Sequence, residues 1–173
     1  MTTFVLAGGC FWCLDSAYSI FRGVTDVTCG YTGGHKADPT YEQVCDGNTG
    51  HAEVVSVSFD ESVISKEQIL DIFFTLHDPT QLNRQGNDIG TQYRSAMYFS
   101  GDDQRRAFEA ALERAKQIWG ESVVTEITEL GEFYEAEQYH QDFFAKNPGQ
   151  GYCVAVVAPK VNKVRSKFAH LTK

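Results

Sequence analysis

The chain of 173 residues is acidic: 23 Asp and Glu stand against 15 Lys and Arg, giving a formal net charge of −8. This charge disfavours nucleic acid or an anionic membrane surface as the main partner, and no apolar stretch approaches the roughly 20 residues that span a bilayer. The composition, 42% hydrophobic and 22% charged, is that of an ordinary globular protein, and the length predicts a single domain over residues 1–173.

Cysteine usage indicates the compartment. Five cysteines, an odd number, argue against the disulfide framework of a small secreted protein. The first residues, MTTFV, lack the basic and long apolar regions of a signal peptide. We therefore expect a cytoplasmic protein whose cysteines are catalytic, metal-bound or simply buried.

The first hundred residues predict alternating strands and helices. An apolar run that ends at Ala7 precedes a helix-like segment, a second run follows Gly23, and strict alternation after Gly50 indicates a third strand. Ser65 and Gln68 have the spacing of a capping box, which begins a further helix. The order strand, helix, strand, strand, helix, strand covers residues 4–7, 10–21, 24–30, 51–60, 65–76 and 93–99.

This order predicts an α/β (α+β) fold, a ferredoxin-like two-layer sandwich with a split βαβ core and extra C-terminal elements. The extra elements are a helix over 100–119, a strand over 123–130, a helix over 135–146 and a basic helix over 161–171. A thioredoxin fold is the competing topology. Two features disfavour it: Trp12 follows Cys10 instead of preceding it, and no strand–helix unit comes before the first strand.

The sequence GGCFWC at residues 8–13 contains the candidate nucleophile. Cys10 lies at the predicted strand-to-helix turn, where outward backbone N–H groups and the positive end of the helix dipole favour the thiolate. Phe11 and Trp12 offer an apolar surface beside it. The alternative is a structural pair, with Cys10 and Cys13 as half of a zinc site or as two buried thiols.

A complete zinc site would need four ligands. The other cysteines have no second ligand at two-residue spacing, and the histidines occur singly, so zinc is disfavoured and each histidine is expected in a loop or on the surface. The residues concerned are Cys29, Cys45 and Cys153, and His35, His51, His77, His140 and His170.

Glu53 is the candidate acid. It alternates onto the same strand face as Val55 and Val57, and if that face is inward, burial raises the pKa of the carboxyl. A neutral carboxylic acid at pH 7 can donate a proton. The alternative places Glu53 at a frayed strand edge in solvent.

The polar run at residues 85–95 is predicted either to line a polar site or to form a long turn that caps itself.

The segment GQGYC at residues 149–153 allows two interpretations. Its glycines would let the thiol of Cys153 move to a distant reactive cysteine and resolve it, as redox cycles require. Alternatively, Cys153 begins the apolar run CVAVV and is buried.

Seven segments, taken in order, closely resemble those of the peptide methionine-S-sulfoxide reductases, the A-type enzymes. They are GCFW at 9–12, GYTGG at 30–34, PTY at 39–41, TGHAEV at 49–54, HDPT at 77–80, RQGNDIGTQYRS at 84–95 and NPGQGYC at 147–153. Any one segment is weak evidence, but the set is specific and covers nearly the whole chain. The two-layer ferredoxin-like sandwich of the family also agrees with the predicted element order.

The resemblance implies a role for each matching residue. Cys10 would be the nucleophile, and Phe11 and Trp12 would form the pocket for the substrate S-methyl group. Glu53 would donate a proton to the sulfoxide oxygen, assisted by the hydroxyls of Tyr41 and Tyr93. Asp88 would be a supporting carboxylate. The resemblance implies no metal and no organic cofactor.

The implied cycle has three steps. Cys10 attacks methionine sulfoxide, free or in oxidised proteins, and becomes a sulfenic acid; a second cysteine condenses with it to a disulfide; thioredoxin reduces the disulfide. In the family a glycine usually occupies the position of Cys13, so two thiols are candidates for the second step. Cys153 is favoured because it lies in the matching GYC segment, and Cys13, one helical turn from Cys10, is the alternative.

The expected partners are therefore methionine sulfoxide and thioredoxin, with no nucleic acid, no membrane and a monomeric chain. Cys29 and Cys45 are expected to be spectators, with Cys45 in reserve because it lies near Tyr41. Two other functions stay open. One is a general thiol–disulfide oxidoreductase that uses Cys10 and Cys13, and the other is a non-enzymatic redox or metal-binding module.

Overall fold

The computed structural model describes residues 1–173. Its strands are β1 (Thr2–Gly8), β2 (Val24–Thr32), β3 (Ala52–Phe59), β4 (Arg84–Gln85), β5 (Asp88–Ile89), β6 (Ser95–Phe99), β7 (Glu126–Glu129) and β8 (Tyr134–Glu135). Its α-helices are α1 (Phe11–Tyr18), α2 (Tyr41–Cys45), α3 (Lys66–Leu76), α4 (Asp102–Trp119), α5 (Phe143–Lys146) and α6 (Ala158–Lys167). A π-helical turn, Cys153–Val157, leads into α6. None of the helices has the length and apolar character to cross a membrane.

Six strands form one mixed sheet in the order β7-β6-β1-β3-β2-β8. All neighbours in it are antiparallel except β6 and β7, which are parallel. β4 and β5 form a separate hairpin. The predicted mixed α/β (α+β) fold is confirmed, and the order β6-β1-β3-β2 agrees with a split βαβ core. The ferredoxin-like description beyond that order stays a prediction.

The two faces of the sheet are covered differently. One face packs against α1, α3, α4 and α6 in a cluster of 33 buried residues, which includes Phe4 of β1 and Val57 of β3. The other face holds a smaller cluster of six, which includes Val5 and Val54. Burial of each large apolar side chain contributes about 1.5–3 kcal/mol. Because both faces are covered in the middle of the sheet, a polar side chain there, such as that of Glu53 on β3, is removed from water.

Side-chain caps decide where two helices begin. Before α3, Ser65 Oγ accepts from Gln68 N at 3.1 Å and Gln68 Oε1 accepts from Ser65 N at 2.9 Å, which is the predicted capping box. Thr40 and Gln43 make the same pair of bonds before α2. A cap of this kind contributes about 1 kcal/mol. Sequence analysis missed α2 because it is only five residues long, and Tyr41 is its first residue.

The helix predicted over residues 135–146 is wrong. Two residues form β8, three form a 3-10 turn (Gln138–His140), and only α5 is helical. This segment forms hydrogen bonds with the main-chain groups at the open edge of β2. Ala136 N donates to Cys29 O at 2.9 Å, and the side chain of Gln141 bonds both N and O of Cys29. These tertiary bonds outweigh a weak helix propensity.

Other predicted boundaries also change. α1 ends at Tyr18 instead of Phe21, and β7 is shorter than the predicted strand over 123–130. The predicted basic helix over 161–171 begins earlier, because the chain is already helical from Cys153, and it ends at Lys167. The hairpin of β4 and β5 inside the polar run was not predicted, since two-residue strands leave no periodic pattern.

Candidate active site

A tight turn places Cys10 at the N-terminus of α1. Gly9 before it has φ +89°, a conformation that favours glycine, and a Cβ there would lie 2.9 Å from the side chain of Gln85. Cys10 itself is the N-cap residue, with extended backbone (φ −64°, ψ 128°), and is 9% exposed. The candidate nucleophile is therefore nearly buried, at the point where the sheet meets the helical layer.

Glu53, the second residue of β3, lies inside the molecule and is 1% exposed. Its Oε1 accepts a hydrogen bond of 3.1 Å from the main-chain N–H of Phe11. Burial raises the pKa of the Glu53 carboxyl to about 8, and Asp88 and Cys13 add to the rise, while the Phe11 amide opposes it. The carboxyl is therefore mostly protonated at pH 7. The inward face that alternation predicts for Glu53 is the one observed.

Cys10 and Cys13 lie on the same turn at the start of α1, where the main-chain N–H of Cys13 donates to the carbonyl oxygen of Cys10 at 3.1 Å, and each thiol affects the pKa of the other. Burial raises the pKa of the Cys10 thiol, and the Cys13 thiol and the charge of Glu53 raise it further. The Cys10 thiol lowers the pKa of Cys13. The thiolate predicted for Cys10 is therefore not its resting form, because removal from water outweighs the helix dipole.

Aromatic rings form a wall beside Cys10. Phe11 is buried, and the half-buried indole of Trp12 stacks on Phe143 with ring centroids 3.7 Å apart and planes inclined by 3°. Trp12 Nε1 donates to Nδ1 of His140 at 3.0 Å. Tyr152 meets the indole edge-on at 5.8 Å. The wall thus combines α1 with two segments that are distant in sequence.

Tyr41 and Tyr93 are two phenols whose pKa values respond to the charge of Glu53. Burial raises the pKa of both phenols, and the charge of Glu53 raises each further. The ring of Tyr41 lies 4.5 Å from that of His140, and Tyr93 ends a 3-10 turn, Thr91–Tyr93. Both hydroxyls therefore stay protonated and can donate hydrogen bonds near Glu53.

Asp88 connects the polar run to the C-terminal part of the chain. It lies on β5, and its Oδ2 accepts a hydrogen bond from the hydroxyl of Tyr152. The charge of Asp88 also contributes to the raised pKa of Glu53. Residues 85–95 contain parts of the β4–β5 hairpin and a 3-10 turn, and the lining of a polar site by this run stays a prediction.

Cys153 is 0% exposed and belongs to the main core. It begins the π-helical turn, and its main-chain N–H donates to Gln150 Oε1 at 3.0 Å. Burial raises the pKa of its thiol, and nearby Cys13 adds to the rise. Of the two interpretations of the GYC segment, the buried thiol is the one observed. All five cysteines are unpaired, and only Cys45 is exposed.

Sequence analysis missed three residues of this site: Glu137, His140 and Tyr152. Glu137 accepts one hydrogen bond from the hydroxyl of Tyr31 and another from the main-chain N–H of Tyr41, each at 2.9 Å. No motif marks Glu137 or His140, since their partners are distant in sequence. Tyr152 had a signal that was not used, its place directly before Cys153 in the GYC segment.

The expectation that each histidine lies in a loop or on the surface holds for His51 and His77, which are loop residues, and His140 lies in a 3-10 turn, but all three are buried. The first two are held by hydrogen bonds: His51 Nδ1 accepts from Gly34 N at 3.0 Å, and His77 Nε2 lies 2.8 Å from Ser95 Oγ. Burial lowers the pKa of His77 to about 4. The structure has no group of three or more His, Cys, Asp or Glu side chains arranged to hold a metal ion.

The site therefore combines a buried thiol, a carboxylic acid that is neutral at pH 7, two phenolic hydroxyls and an aromatic wall. This arrangement suits an electrophile that carries a polar oxygen and a small apolar group on one centre. The acid and the hydroxyls would stabilise the oxygen while the thiol attacks from the other side.

Comparison with known proteins gives a consistent result. The family model described as peptide methionine sulfoxide reductase matches residues 2–172. The peptide methionine sulfoxide reductase MsrA of Clavibacter michiganensis subsp. michiganensis is 61% identical over 173 residues, which is 100% of this chain and 99% of that protein. Mxr1 from Saccharomyces cerevisiae in reduced form is 36% identical, with a TM-score of 0.83 and 88% of each chain covered. Mxr1 in complex with Trx2 is 25% identical, with a TM-score of 0.58, covering 82% of this chain and 84% of that one.

Proposed function

Because this chain belongs to the peptide methionine sulfoxide reductase family, we propose that Cys10 carries out the reduction of methionine S-sulfoxide, free or in oxidised proteins, to methionine. Residues 1–173 form one catalytic domain in this proposal. The observation that carries the assignment is a buried thiol beside a carboxyl that is neutral at pH 7. The chemistry of each group follows from that pairing.

Glu53 supplies the proton. A sulfoxide sulfur is a poor electrophile until its oxygen is protonated or strongly hydrogen-bonded, so an acid has to lie opposite the attacking sulfur. A carboxyl with a pKa of about 8 holds its proton at pH 7 and can deliver it. The raised pKa values of Tyr41 and Tyr93 keep both phenols protonated, so they donate hydrogen bonds to the same oxygen.

Cys10 accepts the oxygen. Its thiol and the sulfoxide give methionine and a Cys10 sulfenic acid, so the sulfoxide sulfur is reduced, the Cys10 sulfur is oxidised, and no other reductant enters this step. The charge of Glu53 is one of the causes that raise the pKa of Cys10. When Glu53 is neutral, it no longer raises the pKa of Cys10. The protonated form of Glu53 and the thiolate form of Cys10 therefore favour each other.

Phe11 and Trp12 bind the S-methyl group. A methyl group packs favourably on aromatic rings that are already held in position, and Trp12 is held by its stack on Phe143 and by the bond to His140. Asp88 supports the polar side of the site through the hydroxyl of Tyr152 and through its effect on Glu53. The two sides of the site match the two faces of a sulfoxide.

Two thiols are candidates for resolving the Cys10 sulfenic acid. Cys13 lies one helical turn from Cys10, its main-chain N–H donates to the carbonyl oxygen of Cys10 at 3.1 Å, and a disulfide between the two releases one water. Cys153 is buried, so for it to reach Cys10 the segment around Gly149 and Gly151 has to open. The proximity of Cys13 to Cys10 in the reduced protein supports Cys13 as the thiol that resolves the sulfenic acid. The sequence-based preference for Cys153 stays a prediction that disulfide mapping tests.

We propose thioredoxin as the reductant of that disulfide, because Mxr1, a structurally similar protein, has been solved in complex with Trx2. The cycle takes its electrons from thiols and requires no metal and no organic cofactor. Free thiols are kept reduced in the cytoplasm, and the proposed cycle depends on them, so we place the protein there.

Methionine release from the two separated sulfoxide epimers tests this function. With thioredoxin, thioredoxin reductase and NADPH, we expect turnover of the S epimer and none of the R epimer. Reduction of insulin disulfides without sulfoxide reduction would instead identify a general thiol–disulfide oxidoreductase on Cys10 and Cys13. One zinc per chain in the purified protein, with neither activity, would identify a metal-binding module.

A further inference from the structure

The ring of His140 lies at the centre of the aromatic wall. It is 0% exposed, and its centroid is 4.5 Å from that of Tyr41, 5.0 Å from that of Phe11 and 5.8 Å from that of Trp12. Three residues of the candidate site therefore surround one histidine to which the proposed chemistry gives no role. Because the ring is enclosed, each of its nitrogens needs a hydrogen-bond partner inside the protein or on a ligand.

The bond to Trp12 decides the tautomer of this histidine. An indole Nε1–H can only donate, so Nδ1 of His140 is the acceptor in the 3.0 Å bond and carries no proton. Burial lowers the pKa of His140, so the ring is neutral and its single proton is on Nε2. Nε2 is buried and has no hydrogen-bond partner. A buried donor is thus left unpaired on a ring that packs against Tyr41, Phe11 and Trp12.

The segment that carries His140 is anchored on both sides. Asp142 N donates to Asp15 Oδ2 of α1 at 2.9 Å, and the side chain of Gln141 bonds the main chain of Cys29 in β2 at 2.8 and 3.0 Å. His140 is therefore held by the sheet and by α1 independently of its bond to Trp12. It imposes an orientation on the indole and does not merely follow it.

We propose that His140 binds substrate and positions Trp12 at the same time: Nδ1 holds the indole, and Nε2–H donates a hydrogen bond to an oxygen of the bound methionine sulfoxide. This proposal rests on the proposed function, since it takes Trp12 as a wall of the substrate pocket. Nε2 is closed to solvent in the structure, so the proposal requires that the side chains covering it move when substrate enters.

The bond to Trp12 is tested without any activity measurement. The chain has two tryptophans, so indole ¹⁵N labelling of the full reduced chain gives two Nε1–H signals, which Trp119→Phe assigns. We expect His140→Phe to move the Trp12 signal upfield, and His140→Asn, whose Oδ1 can replace Nδ1 as acceptor, to leave it near its original position. The Trp119 signal serves as a control for folding. A Trp12 signal unchanged in His140→Phe would overturn the positioning role.

The bond to substrate is tested by single-turnover kinetics with N-acetyl methionine S-sulfoxide methylamide. His140→Asn keeps the bond to Trp12 and removes Nε2–H, so we expect the half-saturating concentration to rise about 5- to 30-fold, the usual effect of one lost hydrogen bond in a buried site. The saturating rate should stay within about threefold, because the reacting groups are intact. His170→Phe, an exposed histidine, is the matched control and should change neither value.

Dimethyl sulfoxide as substrate distinguishes the two possible acceptors. It has a sulfoxide oxygen and no peptide carbonyl, so a His140→Asn effect that persists with it identifies the sulfoxide oxygen, and an effect seen only with the peptide analogue identifies the carbonyl. A half-saturating concentration unchanged within twofold for both substrates would overturn the substrate contact. If the wild-type protein reduces no sulfoxide, the proposed function fails while the Trp12 signal still reports on His140.

Discussion

The main-chain N–H of Phe11, the residue directly after Cys10, donates a hydrogen bond of 3.1 Å to Oε1 of Glu53. The turn that orients the thiol therefore also orients the acid. The same amide favours the charged carboxylate and limits how far burial raises the pKa of Glu53. The resulting pKa of about 8 leaves an acid that is neutral at pH 7 and still able to release its proton.

Cys10→Ser is expected to abolish methionine release even in a single turnover, because a serine hydroxyl is a much weaker nucleophile than a cysteine thiol. The measurement is methionine formed per enzyme after mixing with the S epimer in the absence of reductant. Cys45→Ser removes the exposed thiol and is the matched control, expected to retain the wild-type yield. One equivalent of methionine from Cys10→Ser would show that another thiol begins the reaction.

Glu53→Gln is expected to slow the chemical step by about 10²- to 10⁴-fold, since the amide can hydrogen-bond to the sulfoxide oxygen but cannot supply a proton. Single-turnover rates from about pH 5.5 to pH 9 add a signature. Because the reactive form pairs a protonated Glu53 with an ionised Cys10, whose pKa is raised, the wild-type rate should rise with pH and level off near pH 8, where the acid loses its proton. The rate of the variant should continue to rise.

Glu129→Gln is the control for that experiment, because it changes an exposed glutamate on a strand in the same way. It is expected to behave as wild type at every pH. A Glu53→Gln rate within about threefold of wild type would place Glu53 outside the chemistry.

The same carboxyl is expected to lower the stability of the fold near neutral pH. The pKa of Glu53 is about 8 in the folded state against 4.5 for a glutamate in an unfolded chain, so between these values the folded protein binds a proton that the unfolded chain has released. The free energy of unfolding therefore falls as the pH rises from about 4.5 to about 8, by up to about 1.4 kcal/mol per pH unit from this group.

Urea denaturation of wild type and Glu53→Gln at about pH 5 and pH 8 measures this contribution. The variant has no proton to lose, so its stability relative to wild type should increase between the two pH values. A difference that stays constant with pH would show that Glu53 titrates as it does in the unfolded chain.

Serine substitutions are expected to separate the two candidate resolving thiols. Because Cys13 lies one helical turn from Cys10, we expect Cys13→Ser to release about one methionine per enzyme with thioredoxin as the reductant, and Cys153→Ser to keep most of its turnover. Dithiothreitol should restore turnover to Cys13→Ser, since a small thiol attacks the sulfenic acid directly. Peptide mapping of the oxidised wild type decides the matter: a dominant crosslink from Cys10 to Cys153 would contradict this choice and support the sequence-based preference.

Local signals predicted the elements that carry the two central residues. β1 and β3 leave apolar and alternating patterns, and the capping box at Ser65 marks the start of α3, because these features depend on neighbours within a few residues. The turn at Gly9 and the inward face of Glu53 follow from the same short-range rules. The candidate nucleophile and the candidate acid were therefore both named from the sequence, and their roles stay predictions.

Segments whose structure depends on distant partners were not predicted. Residues 135–146 have the composition of a helix, yet they pair with β2 through Ala136 and Gln141. Because the segment pairs with β2 instead of forming a helix, His140 lies against Trp12. Cys153 shows the same limit: its glycine-rich approach suggested a mobile thiol, and packing in the core made it a buried one.

The sequence by itself determined which residues are available for the chemistry: the cysteine at a helix start, the carboxyl on an alternating strand, and the aromatic and hydroxyl side chains in family-like segments. Only the tertiary structure decided their states. The pKa of Cys10 is raised and that of Glu53 lies near 8 because both are removed from water by elements far apart in the chain. Desolvation and contacts between distant segments cannot be derived from neighbouring residues, and for that reason the protonation of the site and the place of His140 became visible only in the folded molecule.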